Sequence, residues 1–356
     1  MPEPQDRRTF TKPSRTPVTS RRSLLLAAGA LPAATLLPQA CASPSAAMAP
    51  QNPSPYVAVP DRARPPKLPP SGYLVDDLGG GLYGFRNGGM QSMFLVTRTG
   101  VVVIDAGRRS AEHVMAAIRG VTDRPVTHFI YSHSHNDHVG GASFFGDKVR
   151  YVAHELTAEK LKKAKDPGRP VPDITFSGSR HVLNVGGKRL ILEYHGNIHQ
   201  EGNIFIFAPE QKTLMLVDVI APRWAPYFEL GLAHYVPLYF DVVNKIIPGY
   251  DFETFTGGHG GWYGTRADIE EYGRYLSDLE SATREATREV REDPNVGEGI
   301  DPENIWAQSQ VYYNEIADRA AKRMPTSWLT RLGGADVFLR ENTHAMAYSV
   351  GLDNLR

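Results

Sequence analysis

The chain has 356 residues, 41% of them hydrophobic, enough for one large domain or two smaller ones with a real apolar core. Thirty-nine basic residues balance 39 acidic ones, so the total holds none of the basic surplus used to engage a nucleic-acid backbone. The only cysteine, Cys41, rules out an internal disulfide.

In chain order, the first element is an address label. Residues 1–42 carry six Lys/Arg and two acids, leaving 33 basic against 37 acidic for the remainder. The stretch "TSRRSLLLAAGALPAATLLPQACASPSAAMAP" runs from the pair Arg21-Arg22 through an apolar segment, about Leu24 to Leu37, into small residues. This order predicts a signal peptide over 1–42, and the twin arginine resembles the signal read by the twin-arginine export machinery, which would be a partner of the precursor. The apolar segment falls short of the ~20 residues a spanning helix needs and is broken by Pro32. Cleavage is expected at Ala40-Cys41-Ala42 or Ala47-Met48-Ala49, giving a periplasmic or secreted protein. Lipid anchoring at Cys41 is the alternative, although Pro38-Gln39-Ala40 before it makes a poor lipidation signal. With Cys41 removed, a metal site can be built only from His, Asp and Glu.

Residues 43–72 are rich in Pro, Ala and Ser and read as a linker. The folded domain is expected over 73–280. It opens with short apolar strands between glycines, "GLYGFRN", "SMFLVTR" and "GVVVIDAG", followed by a helix from Ser110 to Arg119 with Val114, Ala117 and Ile118 on one face. "THFIYSHSH" and "VRYVAHE" are the next strands, and "GKRLILEYHG", "GNIFIFAPE" and "KTLMLVDVIAP" form a second set. Charged amphipathic helices are expected from Asp268 and over 302–324. Strands alternating with helices in two halves predict a layered α/β sandwich.

The stretch "IYSHSHNDHVGG" concentrates the chemistry. His133, His135, Asp137 and His138 fall within six positions at the end of an apolar strand. On extended backbone, alternate residues share a side, so His133 and His135 can meet one metal ion, and a turn at Asn136 brings Asp137 and His138 toward a second. Imidazole and carboxylate suit zinc, iron or manganese. Three later segments each deliver a further donor beside a strand: His195 and His199 in "LEYHGNIHQEGN", Asp218 in "LMLVDVI" and His259 in "FTGGHGG". Asp218, flanked by apolar residues, would be costly to bury unpaired. His113, His128, His154, His181 and His344 read as structural or exposed.

The series H-x-H-x-D-H, then His, Asp and His, resembles the metallo-β-lactamase superfamily over roughly 73–280, and "GLYGF…SMFLVTRTGVVVIDAG", with Asp105 at its turn, is similar to that family's first hairpins. The resemblance implies a four-layer αβ/βα metallo-β-lactamase sandwich holding two divalent ions, with zinc the first expectation and manganese or iron the alternatives. By it, His133, His135 and His199 would bind one ion, Asp137, His138 and His259 the other, and Asp218 would bridge. His199 is preferred to His195 because His199-Gln200-Glu201-Gly202 fits the family's H-x-x-G.

The expected chemistry is hydrolysis by a metal-bridging hydroxide, with Asp137 also orienting the water and shuttling its proton. The true β-lactamase branches carry Cys or Ser where Asp218 stands. The resemblance therefore points to the lactonase and glyoxalase II type, acting on an ester, lactone or thioester of a small molecule. Alternatives are a phosphodiesterase or sulfatase, then a β-lactamase, and, from another class, a non-hydrolytic di-iron redox or oxygenase protein. The segment 221–240, with Trp224, Tyr227, Phe228, Tyr235 and Tyr239, is expected either to wall the substrate pocket or to be ordinary packing. In the first case Tyr227 or Tyr235 would donate to the oxyanion. The C-terminal extension, 281–356, is expected to cap the sandwich or to join two copies as a homodimer.

Overall fold

The computed structural model describes residues 54–353, so the expected signal peptide and residues 43–53 of the linker lie outside it. The first sheet is built in sequence order from β1 (Leu74–Asp77), β2 (Leu82–Asn87), β3 (Met90–Val96), β4 (Val101–Ile104), β5 (Val126–Ile130), β6 (Arg150–His154) and β7 (Ile174–Phe176). β1 to β4 are antiparallel hairpins, and β4 to β7 pair in parallel, as the crossovers through α1 (Ala111–Val121) and α3 (Glu155–Ala164) require. The short α2 (Asn136–Val139) follows β5. The second sheet has the order β12-β11-β10-β9-β8, from β8 (Arg180–Val185), β9 (Lys188–Glu193), β10 (Phe205–Ala208), β11 (Thr213–Met215) and β12 (Thr254–Thr256).

Alternation along the strands decides the layers. Val102, Ile104 and Ile130 of the first sheet face Leu190, Leu192, Ile206 and Met215 of the second in one buried cluster between the sheets. Val101, Val103 and Phe129 point the other way, onto Val114 and Ile118 of α1 and Leu161 of α3. The outer face of the second sheet, with Phe205, Leu214 and Phe255, is covered by α6 (Arg266–Glu292) through Ile269, Tyr272, Leu276 and Leu279. Each fully buried Leu or Ile there contributes about 1.5–3 kcal/mol. The result is the expected layered sandwich with a helical C-terminal part. Between β11 and α6 lie α4 (Phe228–Leu232) and α5 (Val236–Asp241). After α6 come α7 (Ile305–Arg323) and α8 (Leu339–Leu352).

Three expectations change. The boundary at 280 falls inside α6, a helix that runs unbroken for 27 residues from a capping box made by Thr265 and Asp268. Residues from Ser54 onward belong to one compact unit, so 54–72 are not a free linker: Ala63 is buried, Arg62 pairs with Glu271, and Trp262 donates to the Arg64 carbonyl. The third change is the extent of the strand read in "KTLMLVDVIAP", which stops before Asp218 and leaves it just after the strand. β11 ends at Met215, and Asp218 sits in the following turn with φ 64°, a left-handed conformation that aspartate tolerates better than most residues. No helix among the described residues is long and apolar enough to cross a membrane.

Candidate metal centre

Four connections place seven donors at one end of the sandwich. His133, His135, Asp137 and His138 follow β5, and His199 lies in the β9–β10 loop. Asp218 follows β11 and His259 follows the parallel neighbour β12. The donors fall into two clusters: His133, His135, His199 and Asp218, and Asp137, His138 and His259. The two oxygens of Asp218 divide between them. Oδ2 is 3.3 Å from His133 Nε2, 3.2 Å from His199 Nε2 and 3.9 Å from His135 Nδ1. Oδ1 is 3.1 Å from both His138 Nε2 and His259 Nε2. His199 Nε2 lies 3.0 Å from His135 Nδ1, and His138 Nε2 lies 3.0 Å from His259 Nε2.

These spacings fit ions. Four donors around a tetrahedral zinc at its usual bond lengths lie about 3.3 Å apart. His133 Nε2 and Asp218 Oδ1 are buried without hydrogen-bond partners, as atoms aimed at a ligand should be. Outer contacts orient the rings. Ser132 Oγ donates to Asp105 Oδ2 at 2.6 Å and so accepts from His133 Nδ1 at 2.9 Å, which leaves His133 Nε2 free to face the first cluster. Asp105 also accepts from the Ser132 amide, and burial raises its pKa to about 6. His199 Nδ1 donates to the Gly231 carbonyl at 2.6 Å. Gln200 Oε1 accepts from both the amide and the hydroxyl of Ser134, tying the His133–His135 turn to the His199 loop. Gly258, at φ 81°, is required: a Cβ there would stand 2.9 Å from His138 Cε1.

Charge is distributed unevenly. Burial lowers the His133 pKa to about 3. Burial also opposes charge on His259, but Asp137 and Asp218 beside it win and raise it to about 9. Asp137 is held well below the carboxylate range chiefly by His259, and Asp218, despite its burial, by the surrounding imidazoles.

The donors open into a cavity of about 620 Å³ walled by Trp224, Pro226, Tyr227, Leu232, Val337 and Phe338, with no lysine or arginine among its lining residues. Tyr227 lies at this wall, exposed and packed edge-to-face against Phe338 with ring centroids 4.8 Å apart. Tyr235 is half exposed at the start of α5 and does not line the cavity, and Tyr239 is buried in the core behind it. His195 sits apart from both clusters, bonded to the Tyr250 hydroxyl at 2.7 Å. Val337 and Phe338 carry no sequence signal; they reach the cavity only because α8 folds back over the second sheet's helices.

One part of the wall is unusual. In α4, Glu229, Leu230 and Gly231 all have left-handed dihedrals, and Leu232 follows at φ 59°. A non-glycine residue pays about 1–2 kcal/mol there, so the turn needs outside support. A Cβ at Gly231 would also stand 3.1 Å from the Asp218 carbonyl, a tight contact.

Residues 86–279 match the family model described as the metallo-beta-lactamase superfamily. The chain belongs to that superfamily. It is 27% identical over 197 residues to the alpha subunit of 2,4-dinitroanisole O-demethylase from a Nocardioides species, covering 54% of this chain and 58% of that one. It is 29% identical over 195 residues to metallo-beta-lactamase IND-1 of Chryseobacterium indologenes, covering 50% of this chain and 78% of that one. The chain thus spans little more than half of the demethylase subunit. The fold is also that of the stereoselective inverting sec-alkylsulfatase Pisa1 from Pseudomonas sp., with a TM-score of 0.57 at 15% identity over 77% of this chain and 49% of the other. On this fold the His/Asp clusters mark a metal-binding member of a superfamily composed mostly of metal-dependent hydrolases.

Proposed function

We propose that the protein is an exported dinuclear metallohydrolase that cleaves an ester, lactone or thioester of a small neutral molecule. The observation that carries this reading is the pair of clusters sharing Asp218 at the floor of an apolar cavity whose lining holds no lysine or arginine. His133, His135 and His199 would hold one divalent ion and Asp137, His138 and His259 the other, with Asp218 between them. Two such ions, zinc in the first instance, would lower the pKa of a shared water toward neutrality and polarise a carbonyl oxygen.

The remaining chemistry is the chain's own. Asp137 is the exposed carboxylate of the set, placed at the cavity to orient water and pass its proton toward the leaving group. Trp224, Tyr227 and Phe338 hold an apolar group beside the reacting bond and exclude water. A carbonyl ester develops charge on one oxygen. Sulfate and phosphate esters bring several anionic oxygens, which this lining leaves short of donors. Of the two tyrosines only Tyr227 lines the cavity, and it would be the one to donate to an oxyanion, whereas Tyr235 would have to move.

A second reading is favoured by the likeness to the dinitroanisole demethylase subunit: cleavage of a neutral aryl alkyl ether, whose ring the aromatic wall would accept equally well. Export rests on Arg21-Arg22 and the short apolar segment after it.

The test is metal content of the purified protein together with turnover on a panel: a homoserine-type lactone, an aryl ester, a thioester, 2,4-dinitroanisole, a phosphodiester, an aryl sulfate and a chromogenic β-lactam. About two zinc ions per chain with carbonyl-ester turnover, abolished by His133→Ala with Asp137→Ala, is the expected result. Turnover confined to the anionic esters or the β-lactam overturns the substrate class. Two irons and no hydrolysis would move the protein to redox chemistry.

A further inference from the structure

The C-terminal helix α8 lies beyond the segment that matches the family model, yet one of its side chains is two contacts from a metal-cluster histidine. His199 Nδ1 donates to the Gly231 carbonyl, which belongs to the left-handed turn in α4. Internal bonds from Gly231 N–H to the Tyr227 carbonyl and from Ala233 N–H to the Glu229 carbonyl, both 3.0 Å, close the turn. They do not offset four successive left-handed residues, because the same bonds would form in a right-handed turn without the steric penalty. The support comes from Asn342. Its Oδ1 accepts from Leu230 N–H at 2.7 Å, its Nδ2 donates to the Pro226 carbonyl at 3.0 Å, and the residue is only 1% exposed. One amide thus grips the turn on both sides of its entry. Neither a carboxylate nor an apolar side chain can do so, since one contact needs an acceptor and the other a donor.

We infer that Asn342 is a positioning residue for the metal centre: it holds the left-handed turn, the turn presents the Gly231 carbonyl, and that carbonyl fixes the ring and tautomer of His199. The inference rests on the metal centre proposed above but not on what that centre hydrolyses. The C-terminal helix is then part of the site's machinery, although it contributes no ligand.

The experiment compares Asn342→Leu and Asn342→Asp with a control on the same helix, Thr343→Val. Thr343 is equally buried and bonds the Ala317 and Arg340 carbonyls, away from the turn. Zinc affinities of both sites are measured by competition with a chromophoric chelator, well below the unfolding temperature. The cobalt-substituted absorption spectrum and the melting temperature of the metal-free protein are recorded alongside. Asn342→Leu is expected to weaken one of the two ions by about 10- to 100-fold, the usual cost of losing an outer partner of a ligating histidine, and to leave the other within twofold. Its cobalt spectrum should change as well. Asn342→Asp, which keeps the acceptor for Leu230, should lose less. Thr343→Val should lower the melting temperature with both affinities intact.

Unchanged affinities and cobalt spectrum in Asn342→Leu overturn the inference, as does an equal affinity loss in Thr343→Val. If Asn342→Leu does not fold, Asn342→Asp decides by the same readouts, and wild-type affinities in it overturn the inference. A wild-type protein that takes up no ion overturns both this inference and the metal centre. One that binds two ions without hydrolysing the panel overturns only the substrate reading.

Discussion

Asp218→Asn tests whether one carboxylate serves two ions. The substitution keeps the shape of the side chain and removes its charge. In the structure that charge is nearly buried and faces five imidazoles, with Oδ2 turned to His133, His135 and His199 and Oδ1 to His138 and His259. Removing one partner of a buried charge pair costs about 3–5 kcal/mol, which is roughly a hundred- to several-thousand-fold in affinity. An orienting partner alone would cost ~10- to 100-fold, so the two roles separate by magnitude. Because the charge is shared, both ions should weaken together, even if the amide oxygen remains on one of them. His133→Ala and His259→Ala, by contrast, should each strip one ion and spare the other. Zinc stoichiometry by mass spectrometry and chelator competition on the three variants provide the assay. An Asp218→Asn protein that keeps one ion at wild-type affinity would refute the bridging geometry.

Proton release gives a second expectation. In the metal-free protein His259 titrates at about 9 and His133 at about 3, so at pH 7 loading of the Asp137–His138–His259 cluster must displace a proton, whereas His133 has none to lose. Affinity at that cluster should climb as the pH rises to about 9 and then level off, with proton release measured by calorimetry in buffers of different ionisation enthalpy. The absence of any release at pH 7 would contradict the assignment. For the metal-free fold the sign is the opposite: the His259 pKa is raised from 6.5 to about 9, so its stabilising contribution is complete below pH 6.5 and is lost as the pH rises through 9. Finally, Phe338→Ala should raise KM for a neutral aryl ester by roughly 10- to 100-fold, the value of about 1.5–3 kcal/mol of apolar contact, with kcat changed little. An unchanged KM would remove Phe338 from the substrate wall.

The sequence by itself determined the two halves of strands, the layered α/β class and the run of donors from His133 to His138. The reason is local: strand alternation, and the crowding of His133, His135, Asp137 and His138 into one turn, are encoded within a few residues. The resemblance preferred His199 to His195, because His199 to Gly202 fits the family's H-x-x-G, and in the structure His199 lies in a donor cluster while His195 bonds Tyr250. Only the tertiary structure decided how the oxygens of Asp218 divide, because that depends on where β5, β11 and β12 end relative to one another. The same holds for the left-handed turn at 229–232, whose residues carry no signature of it beyond Gly231 and whose geometry is imposed by Asn342 from more than 100 positions away. Phe338 and Val337 became part of the cavity wall for a related reason. Burial against α6 and α7 drives α8 back over the site, and a long-range packing preference of that kind leaves no pattern in the segment that obeys it.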